Sequence, residues 1–128
     1  MSTVQVADQT FVAAPGAAVG EVLADRGRWY AWWPDLTLEL REDRGDKGIR
    51  WTVAGPLDGT MEVWLETCLD GVILHYFLHA EPGDASRLSA RDKMALNHAR
   101  RVAGKKMAFE VKARLEAGRP AGVAPLPS

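Results

Sequence analysis

Thr60-Met-Glu-Val-Trp-Leu-Glu-Thr-Cys-Leu69 leads through Asp70-Gly71 into Val72-Ile-Leu-His-Tyr-Phe-Leu-His-Ala80. Asp-Gly between two alternating runs signals a β-hairpin, because a type I′ turn needs positive φ at both central residues. With Asp70-Gly71 as the turn, Leu69 opposes Val72 and Cys68 opposes Ile73. One face then pairs Thr67 with Leu74, Leu65 with Tyr76, and Val63 with Leu78. The other pairs Glu66 with His75, Trp64 with Phe77, and Glu62 with His79. A strand's side chains alternate between faces, so the nearly all-apolar first set is assigned to the core and the second to the outside.

Upstream, Thr3 to Ala13 reads as a first strand. Pro15 suits a helix start, since its missing N–H is no loss in the first turn. Val19, Val22 and Leu23 supply that helix's buried stripe. Gly27 is expected to break it, and a second short helix from about Arg28 to Trp33 is stopped by Pro34. Leu36, Leu38 and Leu40 alternate with Thr37, Glu39 and Arg41 as a half-buried strand does. Gly45-Asp46-Lys47-Gly48 turns the chain into a strand from Ile49 to Gly55, with Trp51 and Val53 on one face. Pro56-Leu57-Asp58-Gly59 is read as the next turn, and Glu81-Pro82-Gly83-Asp84 as the end of the hairpin's second strand.

From about Ser89 to Ala117 the pattern becomes helical. Ser89 with Asp92 three residues on resembles a capping box, and Gly118 followed by Pro120 is a plausible stop. Twenty-nine residues would span roughly 43 Å. Gly104 in mid-helix marks a bend or a close approach. Residues 119–128, rich in Pro, Ala and Gly, are expected to be a disordered tail, leaving residues 1–118 as the domain. The fold class expected is α+β, in the order β-α-α-β-β-β-β-α: about five curved antiparallel strands packed on one long C-terminal helix.

Phe11-Val-Ala-Ala-Pro15-Gly-Ala-Ala-Val19-Gly-Glu-Val22-Leu23-Ala-Asp25, followed by Trp29-Tyr-Ala-Trp32-Trp33-Pro34, resembles the opening of the polyketide cyclase/dehydrase and lipid-transfer proteins. These belong to the START-like (Bet v 1-like, SRPBCC) superfamily. The resemblance, covering the chain to about residue 117, implies a helix-grip fold with a cavity between sheet and final helix. Many members bind lipids, polyketides or other hydrophobic molecules, and some are aromatases or cyclases. The usual member has two further strands before the final helix. Here only Glu81 to Leu88 intervene, so a shortened sheet is expected, with a free edge left open or covered by a second subunit.

Composition is that of an ordinary globular domain, with 47% apolar and 26% charged residues. No apolar run reaches the ~20 residues that span a bilayer, so stable membrane insertion is not expected. Met1-Ser-Thr-Val-Gln-Val has no basic segment leading into an apolar one, so a cytoplasmic location is expected. A single cysteine, Cys68, excludes an internal disulfide within this sequence. The net charge of −1 divides unevenly: residues 1–90 carry seven Lys/Arg against fourteen Asp/Glu, and residues 91–128 carry nine against three. That split fits a basic helix lying on an acidic sheet, and the overall balance argues against a nucleic-acid partner.

Trp29, Trp33, Trp51, Val53, Val63, Leu65, Tyr76, Leu78, Val102 and Phe109 are the candidates to line a ligand cavity. The aromatic ones either do so or simply fill the core. Tyr76 and His98 are the candidate acid–base groups, His98 because histidine titrates near neutrality. Glu62, Glu66, His75 and His79 have the chemistry of a metal site. The intervening Trp64 and Phe77 keep four ligands from converging, so no metal and no cofactor are expected. The aromatic Trp64/Phe77 pair, rimmed by charge, reads instead as a contact for a homodimer, with the free sheet edge as the other such contact.

Three functions follow. The first is binding or transport of a small hydrophobic molecule, lipid or polyketide-like, released by movement of the final helix or of residues 54–60. The second is a cyclase/dehydrase-type enzyme using Tyr76 or His98. The third is a protein-interaction module with a filled core.

Overall fold

In the computed structural model, which describes residues 2–117, alternating apolar side chains build one antiparallel sheet. Strand β1 is Val4–Val12, β2 Thr37–Asp43, β3 Gly48–Ala54, β4 Leu57–Cys68 and β5 Gly71–Pro82. Their order across the sheet is β1-β5-β4-β3-β2. Helices α1 (Gly16–Leu23) and α2 (Arg26–Trp32) join β1 to β2, and α3 (Ala90–Glu116) ends the described chain. The element order and the five strands are those expected, and the architecture is a helix grip. The expected tail at 119–128 lies outside the described residues. No helix among the described residues is long and apolar enough to cross a membrane.

The hairpin's faces are as expected, but its register is not. Cys68 pairs with Gly71, Leu65 with Leu74, Trp64 with His75, Val63 with Tyr76 and Glu62 with Phe77. Every expected pair is displaced by two residues, which preserves which side chains face inward. The turn residues are therefore Leu69 and Asp70, and Leu69 takes positive φ (51°). Gly71 is needed elsewhere: a Cβ there would collide with the carbonyl of Val12, so the residue serves strand packing rather than the turn. Gly59 repeats the lesson. It is a strand residue paired with Val53 and Ala80, with no room for a Cβ beside the His79 carbonyl. The real turn is at Gly55-Pro56, where Gly55 has φ 113°. Gly27 likewise does not separate α1 from α2. Its N–H is bonded by the Asp25 carboxylate, which caps α2 at its first turn.

Helix α3 begins at the expected capping box, in which Ser89 and Asp92 bond each other's backbone. It then runs alongside β1 in the same direction, and four of its side chains bond the strand's outer edge. Asn97 bonds the Gln5 N–H and the Thr3 carbonyl. Lys105 and Lys112 donate to the carbonyls of Gln9 and Phe11. Glu116 accepts from the Ala13 N–H at 2.7 Å. From Asn97 to Glu116 the helix rises roughly 28 Å, close to the ~30 Å that nine strand residues cover, so the two stay in step. The expected open edge is thus closed on the β1 side by the chain's own helix. At β2 the outer edge has no strand neighbour among the described residues.

Inward, α3 buries Met107, Ala108 and Val111, and Gly104 lies against the ring of Tyr76. Here the glycine answers to close approach. Gly104→Ala raises helix propensity by about 1 kcal/mol but drives a methyl into a buried ring, and overpacking costs about 1–3 kcal/mol. Urea unfolding should therefore show a net loss of stability. Leu69→Gly should do the reverse, gaining about 0.5–1 kcal/mol in the same assay, because a 92% exposed leucine in a left-handed conformation is strained and packs on little.

Candidate functional site

Six of the candidate side chains come from the inward faces of β3, β4 and β5: Trp51, Val53, Val63, Leu65, Tyr76 and Leu78. Each is at most 2% exposed. Trp29 comes from α2 and Trp33 from the turn after it. Both are buried too, at 4% and 1%. The aromatic members meet one another. Trp51 lies edge-on to Trp29 (ring centroids 5.5 Å apart) and to Trp33 (5.4 Å), and Trp33 stacks on Tyr76 at 6.2 Å. These distances are those of favourable aromatic pairs, so the rings occupy the space between sheet and helices themselves.

The polar atoms of this cluster are unevenly served. Trp29 donates to the Leu23 carbonyl at 2.7 Å, and Trp32 to Glu110 at 3.1 Å. Among the described residues, the indole N–H groups of Trp33 and Trp51 are buried with no acceptor, and the Tyr76 hydroxyl donates only to the Met61 sulfur, a weak acceptor at 3.3 Å. Burial pushes the Tyr76 phenol far above its ordinary pKa. The nearby Trp33 N–H, short of hydrogen-bond geometry, and the charge of Arg100 oppose the rise without cancelling it. Tyr76 is thus a hydrogen-bond donor and no base near neutral pH.

Beside the cluster, α2 and α3 diverge to leave an open groove of about 420 Å³ lined by Ala31, Trp32, Pro34, Val102, Lys106 and Glu110, among others. Side-chain links cross from α2 and the segment after it to α3. Glu110 accepts from Arg28 at 2.9 Å as well as from Trp32. Arg100 grips Asp35 with two hydrogen bonds, 3.0 and 2.7 Å. Those bonds, with the guanidinium charge, hold the Asp35 carboxyl below its usual range, and partial desolvation offsets them only in part.

Val102 lines the groove, but Phe109 does not. It points outward, 55% exposed, under Lys105. His98 is exposed on α3 and is not among the groove's lining residues. The outer sheet face differs from expectation as the register requires. Glu66 still reaches His75, at 3.0 Å, from a diagonal position. Glu62 instead bonds Arg44 at 2.7 Å, and His79 opposes Thr60. Trp64, 39% exposed, stacks on His75 at 4.5 Å, and His75 in turn on Phe77, so the expected aromatic pair has a histidine between its members.

Met61, Arg100, Lys106 and Glu110 were missed by sequence reasoning. Met61 had a signal, since it continues the alternation of Val63 and Leu65. The charged residues had none, because only the packing of α2 and the segment after it against α3 brings them beside the groove.

With this architecture the chain has the helix-grip fold. It matches no family model, and no curated protein matches it. Solved structures do match. The Aha1 dimer from Colwellia psychrerythraea is 16% identical with a TM-score of 0.64, over 91% of this chain and 99% of that one. A polyketide cyclase-like protein from Corynebacterium glutamicum is 14% identical at 0.53, over 93% and 97%. The Zhui aromatase/cyclase from a Streptomyces species is 21% identical at 0.51, over 91% and 98%. At these identities what is shared is the fold.

The Asp35–Arg100 pair generates a pH signature. A carboxyl whose pKa is lowered by folding stabilises the fold above its unfolded pKa, and that contribution is lost as pH falls through the folded value. Thermal melts of wild type and Asp35→Asn should therefore differ at neutral pH and draw together as the pH falls below the ordinary aspartate range. A gap that persists in acid would show that the pair contributes nothing through charge.

Proposed function

We propose that the protein binds a small, largely apolar molecule carrying a hydrogen-bond acceptor, taken in through the α2–α3 groove and held against Trp33, Trp51 and Tyr76. The carrying observation is the pair of buried indole N–H groups without acceptors, next to a phenol whose only acceptor is a thioether. An unsatisfied buried donor costs about 1–3 kcal/mol, and native interiors seldom leave one unexplained. One ligand carbonyl or ether oxygen reached by Trp33 and Tyr76 would recover that cost, while its apolar body replaces ring–ring contact with ligand–ring contact.

One link between α2 and α3, Arg28–Glu110, is a partly exposed ion pair of the kind that contributes about 0–1 kcal/mol, so opening turns chiefly on releasing the bidentate Arg100–Asp35 pair. Val102 and Lys106 would meet the part of the ligand left in the groove. The acid–base reading is the weaker one, since Tyr76 is held protonated and His98 stands outside the groove. The interaction-module reading is favoured by one observation, the mutual packing of the aromatic rings.

Native mass spectrometry of gently purified protein, with organic extraction, tests the choice. Ligand binding should appear as an apolar adduct, displaced by added fatty acids or aromatic ketones with a change in tryptophan emission. Trp33→Phe keeps the ring but removes the donor and should weaken binding by roughly 2–10-fold, the equivalent of one hydrogen bond. No adduct, and emission indifferent to every added compound, would sink this reading and leave the filled-core interaction module.

A further inference from the structure

We infer that the outward face of α3 is a docking surface for an anionic lipid membrane. The helix is apolar on two sides. One side forms the core, and the other leaves Met94 73%, Val102 37% and Phe109 55% exposed. At 100° per residue, Arg91, Met94, His98, Arg101, Val102, Lys105 and Phe109 fall within an arc of about 100° and along roughly 27 Å of helix. The three apolar side chains recur at seven- and eight-residue spacing along this face, with Arg101 and Lys105 between them, which is the mixed basic and apolar pattern of a helix that lies at a lipid interface.

Charge selects the occupant. On this face Arg91 and Arg101 are exposed and have no ion-pair partner among the described residues, Lys105 is paired with Asp8, and the unpaired Lys106 lies at its margin. The two exposed acids of α3 are already engaged, Asp92 in the capping box and Glu110 with Arg28 and Trp32. Residues 91–128 carry nine cations against three acids, whereas the first ninety residues carry seven against fourteen. An anionic surface therefore attracts α3 and repels the rest of the molecule, which orients the protein before contact.

Phosphate groups alone would need the cations. They would leave the methionine and phenylalanine side chains with nothing to do, and the acidic remainder would oppose a long polyanion. A lipid interface uses both kinds of residue. Apolar tips sink to the acyl boundary while Arg and Lys reach the headgroups. Docking of this kind is peripheral and reversible. The α2–α3 groove shares Val102 with this face and has Lys106 at their border, so its mouth opens beside the bilayer, although the docking stands whether or not the groove takes a ligand.

The test is co-sedimentation of the full chain with phosphatidylcholine vesicles, with and without phosphatidylglycerol, at two salt concentrations. Binding is expected only with phosphatidylglycerol and should weaken as salt rises. Arg91→Glu/Arg101→Glu should lower the partition constant by roughly tenfold or more, at ~1 kcal/mol per charge. Met94→Ser/Phe109→Ser should lower it severalfold. Circular dichroism melts matching wild type would show that these exposed substitutions leave the fold intact. Absence of binding to phosphatidylglycerol vesicles at low salt overturns the inference. So does equal binding to both vesicle types, or a charge effect without an apolar effect alongside equal binding to duplex DNA, which would mark a general polyanion site.

Discussion

A short sheet has two edges, and the row of hydrogen bonds from α3 to the β1 edge decides most of what this molecule can be. Peptide groups at Thr3, Gln5, Gln9, Phe11 and Ala13 point away from β5, where a longer sheet would offer another strand. Asn97, Lys105, Lys112 and Glu116 take that strand's place. The substitution works because the helix from Asn97 to Glu116 and the strand from Gln5 to Ala13 cover nearly the same length, roughly 28 Å of helix rise against roughly 26 Å of strand rise. It also removes an unpaired edge that would invite another chain.

That placement propagates inward and outward. With α3 tied to β1, Gly104 comes down on Tyr76, and the Tyr76 ring is pressed into the tryptophan cluster. On the other side of the helix, the divergence from α2 becomes the groove, held by links through Arg28, Asp35, Arg100 and Glu110. The remaining side chains of α3 are left facing outward, Met94 and Phe109 among them. One helix therefore closes the sheet, walls the aromatic interior and supplies an outer surface. Its apolar residues lie on both sides because it has neighbours to satisfy on one and, on the docking reading, a membrane on the other.

Much of this was legible from local pattern. Period-two alternation placed the strands and their inward faces, and the Ser89/Asp92 box placed the start of α3, because each rests on residues near in sequence. Glycine was the repeated source of error. Gly27, Gly59 and Gly71 were read as breaks or turns. In the structure they serve a capped first turn and two close approaches of neighbouring backbone. Sequence shows that a glycine is present and not whether φ or space requires it. Gly104, where close approach was one of two readings, met the side chain of a residue 28 positions earlier. Of the candidate residues, the aromatic ones of the sheet and α2 were named by type and are buried, Phe109 was read as lining the cavity and is exposed, and His98, a candidate only if it faced the cavity, is exposed too.

By itself, the sequence determined the element order, the inward face of each strand and the length and start of the last helix, since these follow from periodicity and capping within a few residues. Tertiary structure alone decided the hairpin register, the closure of the β1 edge by α3, which indole N–H groups lack acceptors and which side of α3 stays exposed. Those depend on residues about a hundred positions apart being brought within hydrogen-bond reach, a matter of how whole elements pack and not of any local preference.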